Sequence, residues 1–114
     1  MKIMSWNIRG LNSPRKIKML SKKIKKSIST LIFLQETKCT SYHIQAVGKK
    51  IWKGSDGMGN DERGFVGGMG ILWDPNRVTL DGFRGSNCFL SADFKVIGFL
   101  VEGVLSNVYG PHSA

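Results

Sequence analysis

Cysteine and proline are scarce in this chain, with two of the former and three of the latter among 114 residues. Cys39 and Cys88 form no metal-type spacing, so a cysteine metal module is excluded and a reducing compartment is the default. No apolar run approaches the roughly 18 residues of a membrane span. Polar Asn7 and Arg9 interrupt the first segment before a signal peptide's apolar region is complete, so the chain is expected to be neither exported nor membrane-inserted. The only approach to a glycosylation acceptor, Asn12-Ser13-Pro14, has the wrong third residue. Long polar tracts and internal repeats are missing too, and 14 glycines argue against both a disordered chain and a helical bundle. What remains is a single domain at most, of mixed α/β class with several short strands.

Acidic residues are few: 8 Asp and Glu stand against 17 Lys and Arg, a net charge of +9. A balance that basic points to a polyanionic partner. The excess is local, because Arg15, Lys16, Lys18, Lys22, Lys23, Lys25 and Lys26 supply seven of the nine charges with no acid among them. Those residues accompany Ile17, Leu20, Ile24 and Ile28 at helical spacing, which predicts an amphipathic basic helix starting near Pro14. Its lysines are either a solvated face or a phosphate-contacting one.

Before that helix, "KIMSWNI" alternates as a strand, with Ile3, Ser5 and Asn7 on one face and Met4, Trp6 and Ile8 on the other. After it, "TLIFLQ" reads as a strand buried on both faces. Strand, helix, strand is the order of a βαβ crossover, and Asn7 and Glu36 fall at the carboxyl ends of its strands, where open α/β sheets place ligands. The glycine-rich stretch 54–70 has neither a Walker nor a dinucleotide fingerprint, and Asp56, Asn60, Asp61 and Glu62 miss the calcium-loop spacing. A flexible loop leading into a strand is expected there. "GMGILWD", "RVTLD", "FKVIGFLVEG" and "VLSNVYG" follow as strands.

Glu36 is a carboxylate beside a buried strand, which is costly without a counter-charge or a metal. Lys38 offers a local ion pair of little energetic consequence. The alternative is a divalent cation, since Mg²⁺ takes one or two carboxylates, keeps several waters and completes its shell with substrate phosphate. The residues alone leave both open.

"SWNIRGL", "LIFLQETK", "GGMGILWDP" and "NVYGP", in that order, resemble the endonuclease/exonuclease/phosphatase (DNase I-like) superfamily. More narrowly, "SWNIRGLNSPRK" with "LQETK" and "ILWDP" resembles the endonuclease domain of LINE-type retrotransposons. The resemblance implies the amino-terminal half of a four-layer α/β sandwich, with residues 1–114 as a partial domain. It also implies a Mg²⁺ cofactor, with Mn²⁺ as the alternative, DNA as partner and a nuclear setting. By it Glu36 holds the catalytic cation, Asn7 lines the metal and phosphate site, and Tyr109 approaches the scissile phosphate. Asn107 supports the site, and with Arg9, Lys22, Lys23, Lys25 and Lys26 it completes the candidate nucleic-acid residues. Asn7 and Asn107 as plain strand-end residues, and Tyr109 as core, are the bland alternatives.

The superfamily activates its water through downstream Asp-x-Asn and Ser-Asp-His motifs. Here the last aspartate is Asp93, no Asp-His pair occurs, and the sequence ends five residues after Tyr109. His43 and His112 are expected at the surface. Arg9 replaces a frequent aspartate, Val66 a frequent serine and His112 a frequent asparagine. The expectation is a truncated phosphodiesterase inactive alone, marginally stable, with an inner apolar face uncovered. A basic non-catalytic nucleic-acid-binding module and a phosphatase of the same superfamily are the other readings.

Overall fold

The computed structural model describes residues 1–11, 13–60, 68–86 and 88–108. Among the described residues nine elements follow in chain order: β1 (Ile3–Asn7), α1 (Pro14–Ser27), β2 (Leu31–Gln35), α2 (Ser41–Ile51), β3 (Asp56–Asn60), β4 (Met69–Trp73), β5 (Val78–Gly85), β6 (Phe89–Val96) and β7 (Glu102–Val108). The first four strands form one sheet in the order β1-β2-β4-β3, and the last three form a second in the order β5-β6-β7. β1 and β2 pair in parallel, as a βαβ crossover requires, and the remaining pairings are antiparallel.

Period two along β2 explains the layering. Ile32 and Leu34 join Leu20 and Ile24 of α1, Ile44, Val47 and Ile51 of α2, and Leu72 of β4 in a core beneath the helices. Leu31 points the other way and packs with Ile71, Trp73, Val78 and Leu90, flanked by Phe33, Phe83, Phe94 and Leu105, between the two sheets. The result is a layer of helices, a mixed sheet buried on both faces at its centre, and an antiparallel sheet. Each fully buried Leu or Ile contributes about 1.5–3 kcal/mol, so β2, with apolar side chains in both cores, is the hinge of the fold's stability.

Glycine is what lets α2 lie on the first sheet. A Cβ added at Gly59 would meet Met69 O and Ser41 Cα, both at 3.2 Å, and one at Gly70 would sit 3.1 Å from Ile44 Cγ2. The stretch expected to be a loop therefore contains β3, whose alternate residues Gly57 and Gly59 form the floor under the helix. α2, absent from the elements expected from the sequence, is entered by Thr40 accepting a hydrogen bond from the His43 amide at 3.2 Å. His43 is half-buried within it rather than at the surface.

Three further expectations are corrected. "FKVIGFLVEG" is not one strand but the end of β6, a turn and the start of β7, closed by Val96 N–H donating to Val101 O at 2.9 Å. Ile28 leaves the apolar stripe of α1, capping the helix at φ 51° with 74% of its surface exposed. The inner faces of the two sheets pack on one another at β2 and β4, and exposure of the inner face lies at the rim, at Ile3, Ser5 and Asn7 of β1 and Asp56 of β3. The larger apolar exposure lies elsewhere, on Phe99, Leu100 and Val101 of the β6–β7 turn and on Val104 and Val108 of β7.

Candidate active site

Parallel pairing puts Asn7 opposite Gln35, so the next residue of β2 leaves the sheet beside the end of β1. That residue is Glu36. It turns in the left-handed region at φ 52°, followed by Lys38 at 54°, while Arg9 on the facing loop sits at 49°. The two loops are held together by main chain: Ile8 N–H donates to Gln35 O at 3.1 Å, Gly10 N–H to Glu36 O at 2.6 Å and Leu11 N–H to Thr37 O at 2.9 Å. Thr37 N–H in turn donates to Gly68 O at 3.2 Å, where a Cβ on Gly68 (φ 83°) would approach Thr37 Oγ1 to 2.7 Å. Glycine is required there by both its dihedral and its neighbour.

Within this frame Asn7 Nδ2 donates to Glu36 Oε2, and Arg9 N–H donates to Asn7 Oδ1 at 3.3 Å. Lys16 Nζ reaches from the first turn of α1 to Arg9 O at 2.5 Å. Asn7 is exposed and Glu36 half-buried, so an accessible carboxylate and a carboxamide share one edge, with Arg9 and Lys16 beside them.

Gln35 and Asn107 lie directly beneath. Asn107 is fully buried, its Nδ2 donating to Leu34 O and Gly70 O at 3.0 Å each and its Oδ1 accepting from Gln35 Nε2 at 2.6 Å. Gln35 Nε2 also donates to Ser5 Oγ at 2.9 Å. Leu34 and Gly70 face each other across β2 and β4, so one side chain from the second sheet ties three strands under the Glu36 turn. A direct nucleic-acid contact is closed to Asn107 in this arrangement, and its side chain braces the strands beneath the Glu36 turn. Sequence reading passed over Gln35, although alternation puts this polar residue on the same face as Leu31 and Phe33, a signal that it needs a buried partner.

The other sequence candidates divide. Lys23 Nζ stands 4.2 Å above the Trp6 ring, and Lys16, seven residues earlier, shares its flank of α1. Lys22 and Lys25 are exposed and, by helical period, turn away from that flank, while Lys26 lies one turn beyond Lys23. Tyr109 and His112 lie outside the described residues, as do Asp61, Glu62 and Val66.

Among the described residues no three His, Cys, Asp or Glu side chains come together. A single carboxylate beside a carboxamide NH2 group does not suit zinc, which wants four nitrogen or sulfur-rich ligands. It does fit a hard cation that keeps most of its water, which is the behaviour of Mg²⁺. Among the described residues, no helix is long and apolar enough to cross a membrane.

No protein-family model and no curated protein matches the sequence. Solved structures do match in fold. A humanized D. rerio TDP2 carrying 14 mutations aligns with a TM-score of 0.63 at 19% identity, over 96% of this chain and 47% of its own. The AP endonuclease LMAP from Leishmania major aligns at 0.64 and 17% identity, over 92% of this chain and 38% of its own. The fold is DNase I-like, and the chain spans less than half the length of either neighbour.

Proposed function

We propose that this chain is the amino-terminal half of a Mg²⁺-dependent phosphodiesterase of DNA endonuclease type, nearest to the LINE-type retrotransposon endonucleases. The observation that carries the reading is the Asn7–Glu36 contact at the carboxyl ends of adjacent parallel strands, flanked by Arg9 and Lys16. The likeness to an AP endonuclease and to TDP2 supports it at the level of fold.

Glu36 would hold the cation, which when bound offsets negative charge on the phosphoryl oxygens, and Asn7, whose Nδ2 is taken up by Glu36, would line its site. The chain's own contribution is orientation. Arg9 N–H fixes the Asn7 amide so that its Nδ2 faces Glu36, and the left-handed turn holds the carboxylate outward from the sheet. Arg9 and Lys16 supply positive charge for an adjoining backbone phosphate at the same edge. This reading gives Asn7 and Glu36 no part in activating the water, so the chain by itself is expected to leave supercoiled plasmid intact. A nuclear setting and DNA as substrate belong to this same reading.

Mn²⁺ serves as a paramagnetic stand-in for Mg²⁺ in testing it. Titration into the ¹⁵N-labelled chain should broaden the amide resonances of Asn7, Ile8 and Glu36 first, and Mg²⁺ should reverse the effect. Glu36→Gln should weaken this response by about tenfold or more, since even residues outside the ligand set are worth 10–100-fold. Broadening centred elsewhere, or unchanged in Glu36→Gln, would sink the proposal.

The basic flank of α1 favours a second reading, a nucleic-acid-binding module without catalysis. Its mark would be duplex binding indifferent to Glu36→Gln, with the salt slope falling by about 0.9 for each phosphate-contacting lysine neutralised. Lys16→Gln and Lys23→Gln should each show that loss and Lys22→Gln should not. The reverse pattern would show that the outward lysines make the contacts.

A further inference from the structure

Beside Asn7 and away from Glu36, a cleft of about 160 Å³ opens between the β1–α1 loop and the first turns of α1. Trp6, Met19 and Leu20 give it apolar walls, and Asn7, Arg9 and Lys16 form its polar margin. Among the described residues no acidic side chain lines it. We infer that this cleft receives one pyrimidine base of the bound strand, with that nucleotide's phosphate held by Lys16 and Arg9. The inference rests on the nucleic-acid reading given above and adds to it a specificity subsite.

Size, walls and charge each support that occupant. Small-molecule sites usually measure about 300–1,000 Å³, so this cleft takes part of a ligand rather than the whole. A cavity of about 150 Å³ accommodates benzene, which puts a single six-membered ring at the limit and leaves a fused purine too large. The walls suit a flat π-system, since bases stack on aromatic side chains and a thioether packs well against a ring. Met19 is otherwise anomalous: with Arg15, Lys16, Lys22 and Lys23 three and four residues away along the helix it is 48% exposed, an apolar side chain turned to the cleft instead of the core. Lys16 spends one donor on Arg9 O and has two more on the same ammonium for a phosphate. Arg9, held at φ 49°, is exposed at the same rim. Because Asn7 belongs to both the cleft and the Glu36 contact, a base seated here would belong to a nucleotide next to the one whose phosphate meets Glu36.

Titration of the ¹⁵N- and methyl-labelled chain with dTMP, dAMP, thymidine and inorganic phosphate tests this. The Trp6 indole and the Met19 methyl should move and saturate with dTMP, in the millimolar range, and respond at least about fivefold more weakly to dAMP. Inorganic phosphate should move only the Arg9 and Lys16 region. Met19→Glu, at an exposed helix position that leaves the core intact, should abolish the dTMP response, and Lys16→Gln should weaken it about three- to tenfold. Equal responses to dTMP and dAMP, a dTMP response matched by phosphate alone, or an unchanged affinity in Met19→Glu would overturn the subsite. Mn²⁺ broadening at Asn7 and Glu36, recorded on the same samples, reads the metal site separately. Broadening without a dTMP response removes the subsite and leaves the metal reading standing.

Discussion

Asn107→Ala is expected to lower the stability of the chain by about 3–5 kcal/mol, because three buried hydrogen-bonding groups lose their partner at once. Those groups are the carbonyls of Leu34 and Gly70 and one amide hydrogen of Gln35. Water cannot replace the lost amide without entering the space between the sheets, where Leu31, Ile71 and Leu90 pack. Urea unfolding followed by tryptophan fluorescence would measure the loss as a shift in midpoint at constant slope. Removing Gln35 as well should cost less than the sum of the two single changes, with a coupling of about 0.5–3 kcal/mol. A loss below about 1 kcal/mol for Asn107→Ala would mean that the buried network is worth no more than one ordinary hydrogen bond, contrary to the geometry.

The second large effect concerns Leu72, which is 1% exposed and fills the space left by two glycines. Its Cδ2 lies 2.7 Å from where a Cβ of Gly48 would be and 2.9 Å from that of Gly57. Leu72→Ala should cost about 2–5 kcal/mol, the usual range for a leucine truncated in a packed core. A conditional sign makes the test sharper. Gly48→Ala in the native background gains up to about 1 kcal/mol of helix propensity but drives a methyl into Leu72, and overpacking costs about 1–3 kcal/mol, so the net effect should be destabilising. With Leu72→Ala already made, the same methyl enters the vacated volume, and Gly48→Ala should stabilise. Destabilisation in both backgrounds would show that α2 does not close on β4 through this pair.

How much of this was readable beforehand follows from the range over which each interaction acts. β1, α1 and β2 were legible because their patterns are local: alternation in "KIMSWNI", three- and four-residue spacing from Ile17 to Ile24, and an unbroken apolar run at Leu31–Leu34. Their order also located Asn7 and Glu36 at one edge of the sheet. β3 was not legible, since Asp56 to Asn60 has two glycines and no β-branched residue, and it is a strand only because α2 needs a floor without side chains. The turn at Ile97 to Leu100 was hidden by apolar residues that remain exposed, against the usual rule for a hairpin connection. In the site, the Asn7–Glu36 pairing could be anticipated from parallel strand ends, whereas the Gln35–Asn107 tie joins residues 72 positions apart and needs the packing of two sheets to become visible.

Arg9, Glu36 and Lys38 all carry side chains at dihedrals where glycine is the better choice, at a cost of about 1–2 kcal/mol for each L-residue held there. Laboratory evolution toward a higher melting temperature would therefore enrich glycine at these three positions, since each replacement relieves the backbone and touches little of the core. The population so obtained would be hardier and would have lost the Glu36 carboxylate together with the positive charges of Arg9 and Lys38. A sequence library sorted for thermal resistance alone would then map the site in negative, as the set of positions where fitness and robustness part company.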